Sequence, residues 1–191
     1  MTETKQGRGR LQFLLIAAIF LGPLLVAAWM YFGGASLAPE GRTNHGALLQ
    51  PITSLPEALP ESALHAQTDG RWVLLYANTG VCGEDCEFSL YTLRQSRLML
   101  GRERDRLVRV FLHGDIPPDT VLLAEEHAGL LAIHDGALAE LLQGKRPVDL
   151  EAGGYYLIDP LGNLVMYFPP DIDPADMVED VDHLLELSRI G

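Results

Sequence analysis

Cys82 and Cys86 are the only cysteines of this 191-residue chain, and Gly83, Glu84 and Asp85 lie between them. A pair at this spacing can close a disulfide, exchange it with another thiol or, once reduced, chelate a soft cation, and thiolates select Cu(I) among the available metals. Two cysteines exclude both a four-cysteine zinc site and a disulfide-rich mini-domain. Residues four apart in a regular helix hold their Cβ atoms about 5–6 Å apart, whereas a disulfide needs about 3.5–4.5 Å. Closure therefore requires Cys82 to lie outside any helix that contains Cys86, with Gly83 free to adopt the backbone this demands. A helix N-terminus at this point would favour thiolate, and the carboxylates of Glu84 and Asp85 would oppose it. A purely structural bridge in an oxidising compartment is the plain alternative. His113 ends a strand expected to run parallel to the one before the cysteines, which puts it on the same carboxyl edge, although a surface loop histidine is the plain reading.

The elements that must position these groups follow from pattern. Ser62–Gln67 and Arg71–Ala77 read as two strands around a Thr68-Asp69-Gly70 turn. The stretch from Cys86 to Leu100 places Phe88, Leu90, Tyr91, Leu93, Leu98 and Leu100 at helical spacing, and Gly101 stops it. Leu107–Leu112 is a strand, Asp119 or Thr120 caps a helix to about Ala128, and Leu130–Ile133 is a short strand. A short helix closes at Gly144, Tyr155–Asp159 and Leu164–Phe168 form a hairpin, and Pro174 opens a helix to about Ile190. This order, with the cysteines between the first core strand and its helix, is that of an α/β thioredoxin-like sandwich.

Leu11 to Phe32 is 22 residues without a charge, enough for one membrane crossing. Lys5, Arg8 and Arg10 precede it and Arg42 is the first cation after it, so residues 1–10 are expected as a cytoplasmic tail, 11–32 as an uncleaved anchor rather than a signal peptide cut near Ser36-Leu37-Ala38, 33–61 as a proline-bearing tether with short ordered patches, and 62–191 as an exported domain. The chain carries 14 Lys and Arg against 26 Asp and Glu. Beyond the tail the balance is more acidic still, which excludes a nucleic-acid binder. Between Asp149 and Gly191 ten acidic residues face only Arg189, a surface suited to solubility or to steering a basic partner. The arginines from Arg94 to Arg109 read as a solvated face, His127, His134 and His183 as surface residues, and His45 as part of the tether. No G-x-S-x-G, H-E-x-x-H or phosphate loop is present.

Three segments, RWVLLYANTGVCGEDC, LVRVFLHGDIPPDT and YYLIDPLGNLVMYF, resemble in order the core of the Sco/SenC family of cytochrome oxidase assembly proteins, from about Trp72 to the C-terminus. The resemblance implies a membrane-tethered thioredoxin-like fold, a CxxxC pair that binds copper, and a cytochrome c oxidase subunit or copper donor protein as partner. It also implies a bacterial inner-membrane location with the domain in the periplasm. Cys82 and Cys86 match the pair, but Val148–Gly154, where the family has its histidine, contains none. The expected ligand set is thus Cys82, Cys86 and, in substitution, His113. A scaffold subunit of a respiratory complex with a locked disulfide is the rival reading.

Overall fold

The computed structural model describes residues 4–32, 44–68 and 70–191. Residues 1–3 of the expected tail, 33–43 of the expected tether and Asp69 of the expected turn lie outside them. The chain divides into two compact units, Met1–Thr43 and Asn44–Gly191. The described part of the first is a single helix, α1 (Thr4–Phe32), with Pro23 inside it. Within it Gln12–Trp29 is long and apolar enough to cross a membrane. A 29-residue helix is about 43 Å long, more than the ~30 Å hydrocarbon core it would need to span.

The second unit is built on one six-stranded sheet in the order β1-β6-β5-β2-β3-β4. Strands β2 (Trp72–Asn78), β3 (Leu107–His113) and β4 (Leu130–His134) are parallel. Strands β5 (Tyr155–Ile158) and β6 (Asn163–Phe168) form the antiparallel hairpin, and β1 (Ala47–Ser54) adds to its far edge. Side chains alternate across the sheet, so each strand feeds two cores. Trp72, Leu74 and Tyr76 of β2 join Leu90 and Leu93 of α4 (Glu84–Met99) and Met177, Val181 and Leu185 of α7 (Pro174–Leu187). Val73 and Leu75 face the other way, onto Leu138 and Leu142 of α6 (Gly136–Lys145). Helices on both sides of a mixed sheet make the α/β sandwich that the pattern implied.

The local stop and start signals act as expected. Gly101 takes φ +57° after α4. Asp119 accepts from the backbone N–H groups of Val121 and Leu122 to open α5 (Thr120–Glu126), and Asp173 accepts from that of Ala175 before Pro174 leads α7. Helix α7 ends at Leu187 rather than Ile190, because the Arg106 guanidinium gathers the carbonyls of Leu185, Ser188, Ile190 and Gly191 and turns the tail aside.

Two expectations are corrected. Residues 63–68 are a helix, α3 (Ala63–Thr68), not a strand: Leu64 and Thr68, four apart, are both buried, and six residues are too few for periodicity to separate the two forms. The segment read as tether up to Glu61 contains β1 and α2 (Leu55–Ala58), so the compact unit begins at Asn44 rather than Ser62. Pro51 made β1 read as loop, but an edge strand with an irregular register between Leu48 and Thr53 tolerates it. His45 and Gly46 then dock on α7: His45 lies 3.5 Å from Asp176 and 3.6 Å from Glu179, and the Gly46 N–H donates to buried Asp180 at 2.7 Å.

Candidate functional site

The carboxyl edge of the parallel strands carries the chemistry. The chain leaves β2 at Asn78, loops through Thr79–Gly83 and enters α4 at Glu84, so Cys82 precedes the helix while Cys86 occupies its first turn. The two are joined by a disulfide, with Cα atoms 5.1 Å apart. This is the placement that helical spacing demanded. Gly83, at φ −105°, does it with ordinary extended backbone rather than with a conformation reserved for glycine, and a Cβ there would meet nothing within 4 Å. The loop is pinned by a bond from the Gly80 N–H to the Asn78 side chain, 2.9 Å.

The two sulfur-bearing residues differ in access. Cys86 is 2% exposed and belongs to the α4-side core, whereas Cys82 is half-buried. The bridge borders a cleft of about 550 Å³ whose walls include Val81, Asp85, Cys86, Asn78 and Gly153. Behind it Tyr76 stacks on Phe111 (5.8 Å between ring centres) and packs against Tyr155 at 5.7 Å. Burial pushes both phenols up, so they stay neutral and make a dry apolar backing. The front is acidic, since Glu84, Asp85 and Glu87 stand exposed in the first turn of α4. They complement the helix N-terminus, where the first N–H groups have no intrahelical acceptor.

His113 reaches the same edge, paired in register with Asn78, but it does not join the sulfurs. It lines a neighbouring cavity of about 480 Å³, and among the described residues no three His, Cys, Asp or Glu side chains converge as a metal site. The two cavities touch through Ala77, Asn78 and Gly153. A disulfide offers no thiolate, so the Cys82–Cys86–His113 set does not fit a copper ion in this oxidised form; reduction would free two sulfur ligands only.

Two surface readings are also corrected. Arg109 is 4% exposed on the α4 side of β3, where its Nη2 donates to the Ala128 carbonyl at 2.7 Å and burial lowers its pKa to about 10. His127 is likewise 4% exposed, and burial lowers its pKa. Strand alternation turns position 109 to the same face as Leu107 and Phe111, and the Arg94 charge lies near both groups. Arg94 and Arg97 keep to the surface, paired with Glu126 and Asp105 at 3.1 Å each. His134 is exposed, as its reading as a surface residue expected, but only the pairing of β3 with β4 makes it the in-register neighbour of His113.

Comparison with known proteins agrees with this architecture. Residues 72–188 match the family described as transmembrane-like, thioredoxin-like, C-terminal domain, and residues 4–34 match the transmembrane-like, N-terminal domain. No curated protein matches. Among solved structures, yeast Sco1 with copper bound is 18% identical at TM-score 0.51, covering 65% of this chain and 81% of that one; yeast Sco1 without copper in its description is 17% identical at TM-score 0.51, covering 65% and 85%. ScoI from Bradyrhizobium japonicum with copper bound is 18% identical at TM-score 0.48, covering 62% and 88%. At such identities the likeness is one of fold. Sheet order, helix placement and the matched residues together show that the chain belongs to the transmembrane-like, thioredoxin-like family, with a single apolar N-terminal helix ahead of its α/β domain.

Proposed function

We propose that this protein is a membrane-anchored thiol-disulfide exchange protein of Sco-like character, and that its reduced Cys82–Cys86 pair carries Cu(I) as cargo. The observation that carries this reading is the bridge between half-buried Cys82 and buried Cys86 at the strand-to-helix junction. A partner thiolate attacks Sγ of Cys82, a mixed disulfide forms, and the Sγ–Sγ bond breaks with its electron pair on Cys86. The N-terminus of α4 favours that leaving thiolate, against the opposing effects of Cys86 burial and of the Glu84 and Asp85 carboxylates. A second partner thiolate then displaces Cys82, leaving the partner oxidised and the pair reduced. The reverse sequence reduces a partner disulfide.

Once reduced, two thiolates can hold Cu(I) without a third ligand. The copper in the yeast Sco1 structure supports copper as cargo. The proposed partner is a cytochrome c oxidase subunit or a copper donor protein. The carboxylates beside the bridge favour a basic docking surface on it. Redox titration of the full chain in detergent tests the reading. An exchanging pair should show a midpoint above about −300 mV; a lower value marks a locked structural bridge and overturns exchange.

The proposed location is the bacterial inner membrane with the domain in the periplasm, supported by the cations before the apolar helix. Alkaline phosphatase fused after Gly191 should be active there. Activity confined to a cytoplasmic reporter at the same position removes both the compartment and the oxidising context.

A further inference from the structure

His113 and His134 end adjacent parallel strands in register, and their rings lie 5.7 Å apart with planes inclined by only 22°. His113 Nδ1 is 2.8 Å from the Gly114 carbonyl, which can only accept, so Nδ1 donates there and Nε2 is the nitrogen that carries the lone pair in the neutral ring. A backbone carbonyl holding the far ring nitrogen is the arrangement that orients metal-binding imidazoles. His134 Nε2 lies 3.2 Å from a carboxylate oxygen of Asp115. All three side chains line the 480 Å³ cavity beside the disulfide cleft.

The geometry points to a divalent-cation site formed by His113, His134 and Asp115, separate from the cysteines. An ion about 2.1 Å from an imidazole nitrogen lies about 3.2 Å from that ring's centre, so two ligating rings can stand up to about 6 Å apart. The observed 5.7 Å falls within that reach. As they stand, the three groups do not converge. The Asp115 side chain is fully exposed and that of His134 is 52% exposed, and the site requires this pair to reorient around His113, which the Gly114 carbonyl already holds. Two imidazoles and one carboxylate, with water completing the shell, suit a borderline first-row ion, with Cu²⁺ preferred to Zn²⁺. Such a site beside the dithiol would serve the divalent state, while the thiolates serve Cu(I).

This inference does not rest on the exchange reading, because it is tested with the disulfide closed. The oxidised full chain in detergent is dialysed against Zn²⁺ or Cu²⁺ and its metal content measured, with nitrogen hyperfine structure recorded for Cu²⁺. One ion per chain is expected, with affinity falling tenfold or more in His113→Ala and in His134→Gln, and less in Asp115→Asn. The Cys82→Ser/Cys86→Ser double variant should bind like wild type, as should His45→Ala, which removes a second His–carboxylate cluster among the described residues. Circular dichroism confirms that each variant is folded. An oxidised wild-type chain that takes up no ion, or a His113→Ala/His134→Gln double variant that binds as wild type does, overturns the site.

Discussion

Cys86→Ser is expected to trap a covalent mixed disulfide through Cys82, whereas Cys82→Ser is expected to reduce thiol exchange to the uncatalysed background. The asymmetry follows from access. Cys82 is the half-buried residue outside the helix, and Cys86 is 2% exposed under the first turn of α4. A partner sulfur reaches Cys82; only Cys86, tethered beside it, can resolve the product. Without Cys86 the first bond still forms from the Cys82 thiolate on a partner disulfide, but the intermediate has no internal thiolate to release it. Neither substitution should unfold the domain. Closing so short a loop is worth about 2 kcal/mol in chain entropy, a fraction of the roughly 5–15 kcal/mol of a typical domain. Non-reducing gels after incubation with a small aromatic disulfide, together with exchange rates, provide the measurement. Equal rates in the two variants, or full turnover by Cys86→Ser, would contradict the assignment of attacked and resolving sulfurs.

Gly114→Ala should damage the site without touching a reactive group. A Cβ on Gly114 would stand 2.8 Å from the Thr79 carbonyl carbon and 2.9 Å from its Cα, closer than real Cβ atoms approach. Both are backbone atoms of the loop that leads to Cys82, so no side chain can swing away to relieve the overlap. Either the loop lifts or the end of β3 retreats, at a cost of about 1–3 kcal/mol. Because the loop is pinned at Asn78 and Gly80, its displacement moves Cys82 relative to Cys86 and shifts the redox midpoint as well as the melting temperature. Gly83→Ala is the matched control: it sits between the cysteines, yet its Cβ meets nothing within 4 Å and its φ is −105°. Because Gly83 is the N-cap of α4, where alanine caps less well, it should lose up to about 1 kcal/mol in stability while keeping the wild-type redox midpoint. Similar midpoint shifts in the two variants would show that the close approach of Gly114 to Thr79 does not hold the site together.

Much of this molecule is determined locally and is therefore legible in its residues. The apolar run that forms α1, the alternation of β2 and β3 between two cores, the Asp119 and Asp173 caps, and the glycine stop at Gly101 each depend on neighbours within a few positions. The position of Cys82 outside α4 is local too, because helical geometry alone forbids the bridge otherwise.

Tertiary structure decided what local pattern could not. Strand β1 exists only because β6 offers an unpaired edge to a segment that proline made look like loop. Arg109 and His127 are buried because α4 closes over them, although their residue types predict surface. His113 stands apart from the sulfurs and beside His134 because strand order, not sequence separation, sets the neighbours along the carboxyl edge. Backbone propensity and side-chain period act over one turn or one pleat, whereas a ligand set is assembled by long-range pairing, whose register depends on the whole sheet burying both its faces at once.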